Sequence, residues 1–262
     1  MRNTPPLTRR LAAMPPAVVR ALLARNPGVA AECVYAIAAE GFAPAQVCIG
    51  RMLLAGTGMP ADRRAAYRWF TRAAGQGNRD AVNMLGRCFE NGWGVAADAG
   101  AAALHYRCAA HAGCSWAQYN LGHLHLDGRG TPRDPVRAVA WYRAAAGQGH
   151  ARAMNLLGRC HEEGWGTARD SAAAAAWYRR SAERGYFRGQ YNWATVLQGT
   201  GRFAEAARWF ERAAAGGTEA VRQCVRAAAA ASTVPCLRSL ADRLPGCNKE
   251  SRCSSASPNC ST

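Results

Sequence analysis

Five stretches of this chain begin 36 residues apart, at Ala45, Ala81, Ala117, Ala153 and Gly189, and that period limits the fold more than any other feature. They read AQVCIGRMLLAGTG, AVNMLGRCFENGWG, AQYNLGHLHLDGRG, AMNLLGRCHEEGWG and GQYNWATVLQGTG. Each is followed by a second helical stretch: YRWFTRAAGQG, LHYRCAAHAG, AWYRAAAGQG, AWYRRSAERG and ARWFERAAAGG. Two short helices cannot bury their apolar faces alone, so units of this kind stack and each covers its neighbour.

The recurring positions have mechanical uses. Ile49, Leu85, Leu121 and Leu157 predict the apolar stripe of a first helix. Gly50, Gly86, Gly122 and Gly158 remove a side chain beside it so that the second helix can approach, with Ala66, Ala102, Ala138 and Ala174 expected as the small facing partners. The pairs Gly56/Gly58, Gly92/Gly94, Gly128/Gly130 and Gly164/Gly166 end the first helix, because glycine tolerates the positive φ of a helix C-terminus. Asp62, Asp98, Asp134 and Asp170 fall where the second helix starts, and Asp is a favoured N-cap. Pro135 follows Asp134 at the first helical position, where its missing N–H costs nothing. The pairs Trp69-Phe70, Trp141-Tyr142 and Trp177-Tyr178 are expected to pack the second helix on the first and on the next repeat, with His105-Tyr106 in repeat 2.

These residues resemble Sel-1-like repeats, relatives of tetratricopeptide repeats, with the pattern A-x-x-x-L-G-x-x-Y-x-x-G-x-G-V-x-x-D-x-x-K-A-x-x-W-Y-x-K-A-A-x-x-G. The consensus Tyr of the first helix is here Leu53, Phe89, His125, His161 and Leu197, and Trp209-Phe210 of repeat 5 stand four residues early. The resemblance implies an all-α fold, a right-handed α/α superhelical solenoid of antiparallel helix pairs, with first helices lining the concave side. The expected organisation is an N-terminal arm and degenerate capping hairpin over 1–44 and repeats over 45–80, 81–116, 117–152, 153–188 and 189–216. Capping helices follow over 217–245, including a short one near 235–243. A Cys- and Ser-rich tail over 246–262 has no periodicity and is expected to be disordered.

Composition allows a buried core, with 49% hydrophobic residues. The formal charge is +16, with one Lys, Lys249, among 33 basic residues. So strong an Arg bias partly reflects a GC-rich coding sequence, which ranks a nucleic-acid partner below a protein partner. No run approaches the roughly 18 apolar residues of a membrane span. The basic first 31 residues, with Arg2, Arg9, Arg10, Arg20 and Arg25, lack the Ser content and apolar region of targeting segments and are broken by Pro5-Pro6 and Pro15-Pro16. A cytoplasmic protein is expected, an organelle or exported one being the alternative. Eleven Cys with no Cys-x-x-Cys read as reduced thiols, including Cys247, Cys253 and Cys260 of the tail.

Enzymatic motifs do not emerge. Some proteins with these repeats are linked to β-lactam hydrolysis or binding, but a single lysine at 249 leaves no Ser-x-x-K, K-T-G or phosphate-loop G-K-[ST] motif. His125 and His161 are equivalent without a carboxylate or thiol at ligand spacing, so no metal and no cofactor is expected. Cys88 and Cys160, also equivalent, read as small buried hydrophobes.

What remains is a surface. Arg51, Arg87, His123 and Arg159 form a ladder at one repeat position, and Asn83 and Asn155 stand four residues before Arg87 and Arg159 on the same helical face. By analogy this resembles the Asn-plus-cation clamp with which some tetratricopeptide proteins hold a peptide C-terminus; a guanidinium engages both carboxylate oxygens at once. The plain alternative is that Glu90 and Glu162, three residues after the arginines, neutralise them. Trp93 and Trp165 are candidate exposed anchors, with packing under the next loop as the alternative. The expected function is therefore a non-enzymatic scaffold or adaptor holding an acidic or C-terminal segment of another protein. A β-lactam-directed enzyme and a polyanion binder are the alternatives.

Overall fold

The structure, a computed structural model, describes residues 25–243. Most of the stretch PAVVRALLAR and the whole tail from Gly246, with its three cysteines, lie outside the described residues. Among those described, all thirteen regular elements are α-helices. They are α1 (Pro27–Ala39), α2 (Ala43–Ala55), α3 (Arg63–Gly75), α4 (Arg79–Asn91), α5 (Ala99–His111), α6 (Ser115–Asp127) and α7 (Pro135–Gly147). Next come α8 (Ala151–Glu163), α9 (Ser171–Glu183), α10 (Phe187–Gly199), α11 (Phe203–Gly216), α12 (Glu219–Ala230) and α13 (Pro235–Arg243). The fold class is the solenoid of helix pairs that the 36-residue period predicts. Two compact units meet in sequence within α9, one ending at Trp177 and the other beginning at Tyr178.

In the first unit helices pack in chain order, each against the next. The four aspartates cap the second helices as expected. Asp62, Asp98, Asp134 and Asp170 accept from the backbone N–H of Ala65, Ala101, Arg137 and Ala173 at 2.9 to 3.0 Å. Gly56, Gly92, Gly128 and Gly164 end the first helices in the left-handed conformation. The second glycine of each loop has a different use. Gly58, Gly94, Gly130 and Gly166 lie directly on the backbone carbonyls of Pro27, Arg63, Ala99 and Pro135, where no Cβ fits. Each loop thus rests on the start of the preceding second helix, which sets the spacing of the pairs.

The small residue of the first helix faces an aromatic ring, not an alanine. A Cβ on Gly86 would stand 2.6 Å from the Tyr106 ring, and Gly50 and Gly122 face Phe70 and Tyr142 in the same way. Ala66, Ala102, Ala138 and Ala174 are buried, but the gap left by glycine is filled by the ring twenty positions on. Phe70, Tyr106 and Tyr142 are fully buried, and burial of such a side chain stabilises by roughly 1.5–3 kcal/mol.

A ladder of amides joins successive pairs. Gln46 donates to the Ala38 carbonyl at 3.1 Å and accepts from Gln76 at 2.9 Å. Gln118 and Gln148 repeat this two units later, at 3.2 Å to Ala110 and 2.8 Å between the side chains.

In the second unit Ala194, Leu197, Phe210, Val225, Leu237 and Leu240 form the core. Here α12 and α13 follow α11 and pack against it. In repeat 5 the Gly199-Thr200-Gly201 stretch closes a shorter connection: α10 ends at Gly199 with Thr200 as its C-cap, α11 starts after Arg202, and Phe210 joins the core from its early position.

Candidate functional site

Four successive first helices of the first unit, α2, α4, α6 and α8, enclose a cleft of about 350 Å³. Its walls are Arg51, Asn83, Met84, Arg87, Trp116, Tyr119, Asn120 and Arg152, with no carboxylate among them. The first helices present these side chains because their opposite stripe, including Ile49, Leu85 and Leu121, is committed to the core.

Three of the six residues expected from the ladder meet here, namely Arg51, Asn83 and Arg87. Among the described residues neither Arg51 nor Arg87 has an ion-pair partner. Asn83 is buried and its Oδ1 accepts from Asn120 Nδ2 at 3.1 Å, which ties α4 to α6 and leaves its N–H₂ as the free end of the amide. His123, Asn155 and Arg159 lie outside the cleft wall. His123 joins the ladder as an aromatic ring, not a cation. Its ring centroid is 4.6 Å from Tyr119 and 5.7 Å from Tyr142, and burial lowers its pKa, opposed by the Asp127 carboxylate. Asn155 is buried, and Arg159 is half-buried over the Trp165 ring.

Trp93 and Trp165 are not free-standing anchors. Each is half-buried against the core of its repeat, with the guanidinium of Arg87 or Arg159 4.9 Å from its ring centroid. Such a cation–π contact is worth about 0.5–1 kcal/mol at exposed sites. The expected pairing of Glu90 with Arg87 does not form either. Glu90 accepts a 2.6 Å hydrogen bond from the Tyr106 phenol and pairs with Arg129 of the next loop at 3.2 Å, so it is not the counter-ion of Arg87.

Sequence reasoning missed Trp116, Tyr119, Asn120 and Arg152. Trp116 is 44% exposed. Its ring stands edge-on to His150 at 4.4 Å, with the Arg152 guanidinium 5.3 Å from its centroid. Tyr119 stands 4.9 Å from the same imidazole. His150 is the N-cap of α8: Nδ1 accepts from Ala153 N–H at 3.2 Å, so the neutral ring carries its proton on Nε2. Burial, aided by Arg152, lowers its pKa to about 4. The rear of the aromatic wall is therefore neutral while its front is cationic.

The remaining candidates have structural settings. His125 is buried, with Nδ1 3.4 Å from the Thr131 hydroxyl, and His161 is half-buried. Cys88 and Cys160 are fully buried, and burial pushes their pKa up to about 11, which suppresses the reactive thiolate. No described helix is long and apolar enough to cross a membrane.

Comparisons with known proteins agree with this architecture. The Sel1 repeat family model matches residues 43–78, 79–114, 117–150, 151–186 and 188–218. A Sel1 repeat protein from Oxalobacter formigenes is 26% identical, with a TM-score of 0.69 over 78% of this chain and 86% of that one. The antigen c5321 of uropathogenic Escherichia coli strains, described as displaying an SLR fold, is 24% identical with a TM-score of 0.63, over 82% of this chain and 47% of its own. The immunity protein Pa5087 from Pseudomonas aeruginosa shares the fold at 17% identity, with a TM-score of 0.56 over 76% and 78% of the two chains. No curated protein matches the chain. Sel1 repeat proteins are generally protein-interaction scaffolds and their fold is typically non-catalytic. With five matched units over most of its described length, the chain belongs to the Sel1 repeat family.

Proposed function

We propose that this protein is a non-enzymatic adaptor that holds an acidic segment of another protein along its first helices. The observation that carries this reading is the composition of the cleft: three arginines, two asparagines and two aromatic residues, drawn from four successive first helices, with no carboxylate in the wall. Arginines with no carboxylate beside them in the wall favour an anion, and the rings give an apolar surface for the flanking residues. Arg, Trp and Tyr are also the residues that most often dominate interface energetics.

Binding of a fluorescent Glu-rich peptide, followed by anisotropy, tests the reading. Arg51→Glu combined with Arg87→Glu should abolish binding with helicity unchanged. Each desolvated charge-assisted contact is worth about 1.5–3 kcal/mol, so losing two weakens binding by two orders of magnitude or more. Arg159→Glu, outside the cleft, should cost about 1 kcal/mol or less. Binding that survives the double reversal would overturn the proposal.

A further inference from the structure

We infer that the cleft formed by Arg51, Arg87, Arg152, Trp116 and Tyr119 receives a phosphorylated side chain of the bound segment. The inference rests on the adaptor reading and narrows it.

The charge count leads to it. Three arginines from three helices line a space of about 350 Å³ with no carboxylate in the wall. Glu90, the acid nearest to Arg87 along α4, is held by Tyr106 and Arg129. A carboxylate brings one negative charge and two acceptor oxygens into such a space. A phosphomonoester brings about −1.5 to −2 at pH 7 and three acceptor oxygens. Planar guanidinium forks match those oxygens in pairs, so three arginines from three helices suit a three-oxygen group better than a two-oxygen one. The amides add donors of the same kind, because the Asn83 oxygen is already used by Asn120.

The aromatic side of the cleft fixes the orientation. Trp116 and Tyr119 are braced from behind by the His150 ring, at 4.4 and 4.9 Å. Arg152 reaches across the Trp116 face. A side chain entering there meets aromatic rings beside arginines, which suits a methylene carrying a phosphate. A space of about 350 Å³ admits a side chain and not a folded domain.

Three immobilised peptide libraries test this against full-length protein. They have equal length and degenerate flanks and differ only at one central residue, which is phosphoserine, glutamate or serine. The phosphoserine library should retain the protein about tenfold more strongly than the glutamate library, and serine should retain none. Arg51→Gln with Arg87→Gln should remove the difference. Inorganic phosphate at matched ionic strength should displace the wild-type protein from phosphoserine where chloride does not, which guards against a variant that loses its fold. Equal retention by phosphoserine and glutamate overturns this inference and leaves the acidic-segment reading standing. Retention by no library, or preference for single-stranded DNA over every peptide, overturns both. Failure of phosphate to compete overturns the phosphoryl assignment alone.

Discussion

The Tyr106 phenol donates a 2.6 Å hydrogen bond to Glu90, and that carboxylate also receives Arg129 from the following loop. One repeat later Leu126 stands where Glu90 would be, and the buried Tyr142 hydroxyl has no hydrogen-bond partner among the described residues. Two equivalent tyrosines should therefore respond oppositely to the same change. Tyr106→Phe removes a charge-assisted bond and leaves Glu90 short of a donor, at a cost of about 1.5–3 kcal/mol. Tyr142→Phe removes a polar atom that burial penalises, so it should leave stability unchanged or raise it. Urea unfolding of the two variants checks the sign.

Glycines divide in a similar way. Gly86→Ala places a Cβ 2.6 Å from the Tyr106 ring, which must shift, and a loss of about 1–3 kcal/mol is expected. Gly75, at the last turn of α3, has nothing within 4 Å of an added Cβ. Gly75→Ala should stabilise by about 0.4–1 kcal/mol through the unfolded chain. Thermal melts by circular dichroism should move in opposite directions.

Thiol chemistry follows burial. Cys48, Cys108, Cys224 and Cys236 are exposed, whereas Cys88 and Cys160 are enclosed with pKa values near 11. A brief pulse of iodoacetamide at pH 7.5 should label the first four and spare the last two until denaturant is added. Peptide mass spectrometry reads the result; labelling of Cys88 or Cys160 in the native protein would contradict their packing.

Acid should loosen the α6–α8 region first. The pKa of His150 falls to about 4 on folding, from an unfolded value of about 6.5. Between these values the unfolded chain binds the extra proton, so the contribution of His150 is complete above pH 6.5, shrinks as pH falls and is gone below about 4. His150→Asn keeps an N-cap acceptor but does not titrate. The variant should melt with a smaller decline between pH 6.5 and 4 than the parent, and identical slopes would show that His150 is not the group responsible.

How much of this is legible in the residues differs between levels. Helix starts and stops are local events, and Asp62, Asp98, Asp134 and Asp170 announce them because a cap is made within three residues. Which ring fills which gap is not local. Periodicity shows that Gly86 and Ala102 recur together, but only packing reveals that Tyr106 occupies the space. Gln46 and Gln76 are similarly opaque, since a side chain bonding to a neighbouring unit leaves no mark on its own sequence context. In the cleft, Arg51, Asn83 and Arg87 follow from reading one register along the first helices. Tyr119 occupies the Asn83 register in repeat 3, and Trp116 and Arg152 share the register of Asp80, at the helix starts, where residues read as capping positions.

The amide bonds between pairs have a temporal consequence. Gln76 reaches back 30 residues to Gln46, Gln148 reaches back 30 to Gln118, and Asn120 reaches back 37 to Asn83. In each case the earlier partner has already left the ribosome when the later one emerges. The first unit can thus assemble vectorially during synthesis, each new hairpin docking on the one before it without waiting for the C-terminus, and loop closure stays inexpensive because no such bond spans a long stretch of unfolded chain.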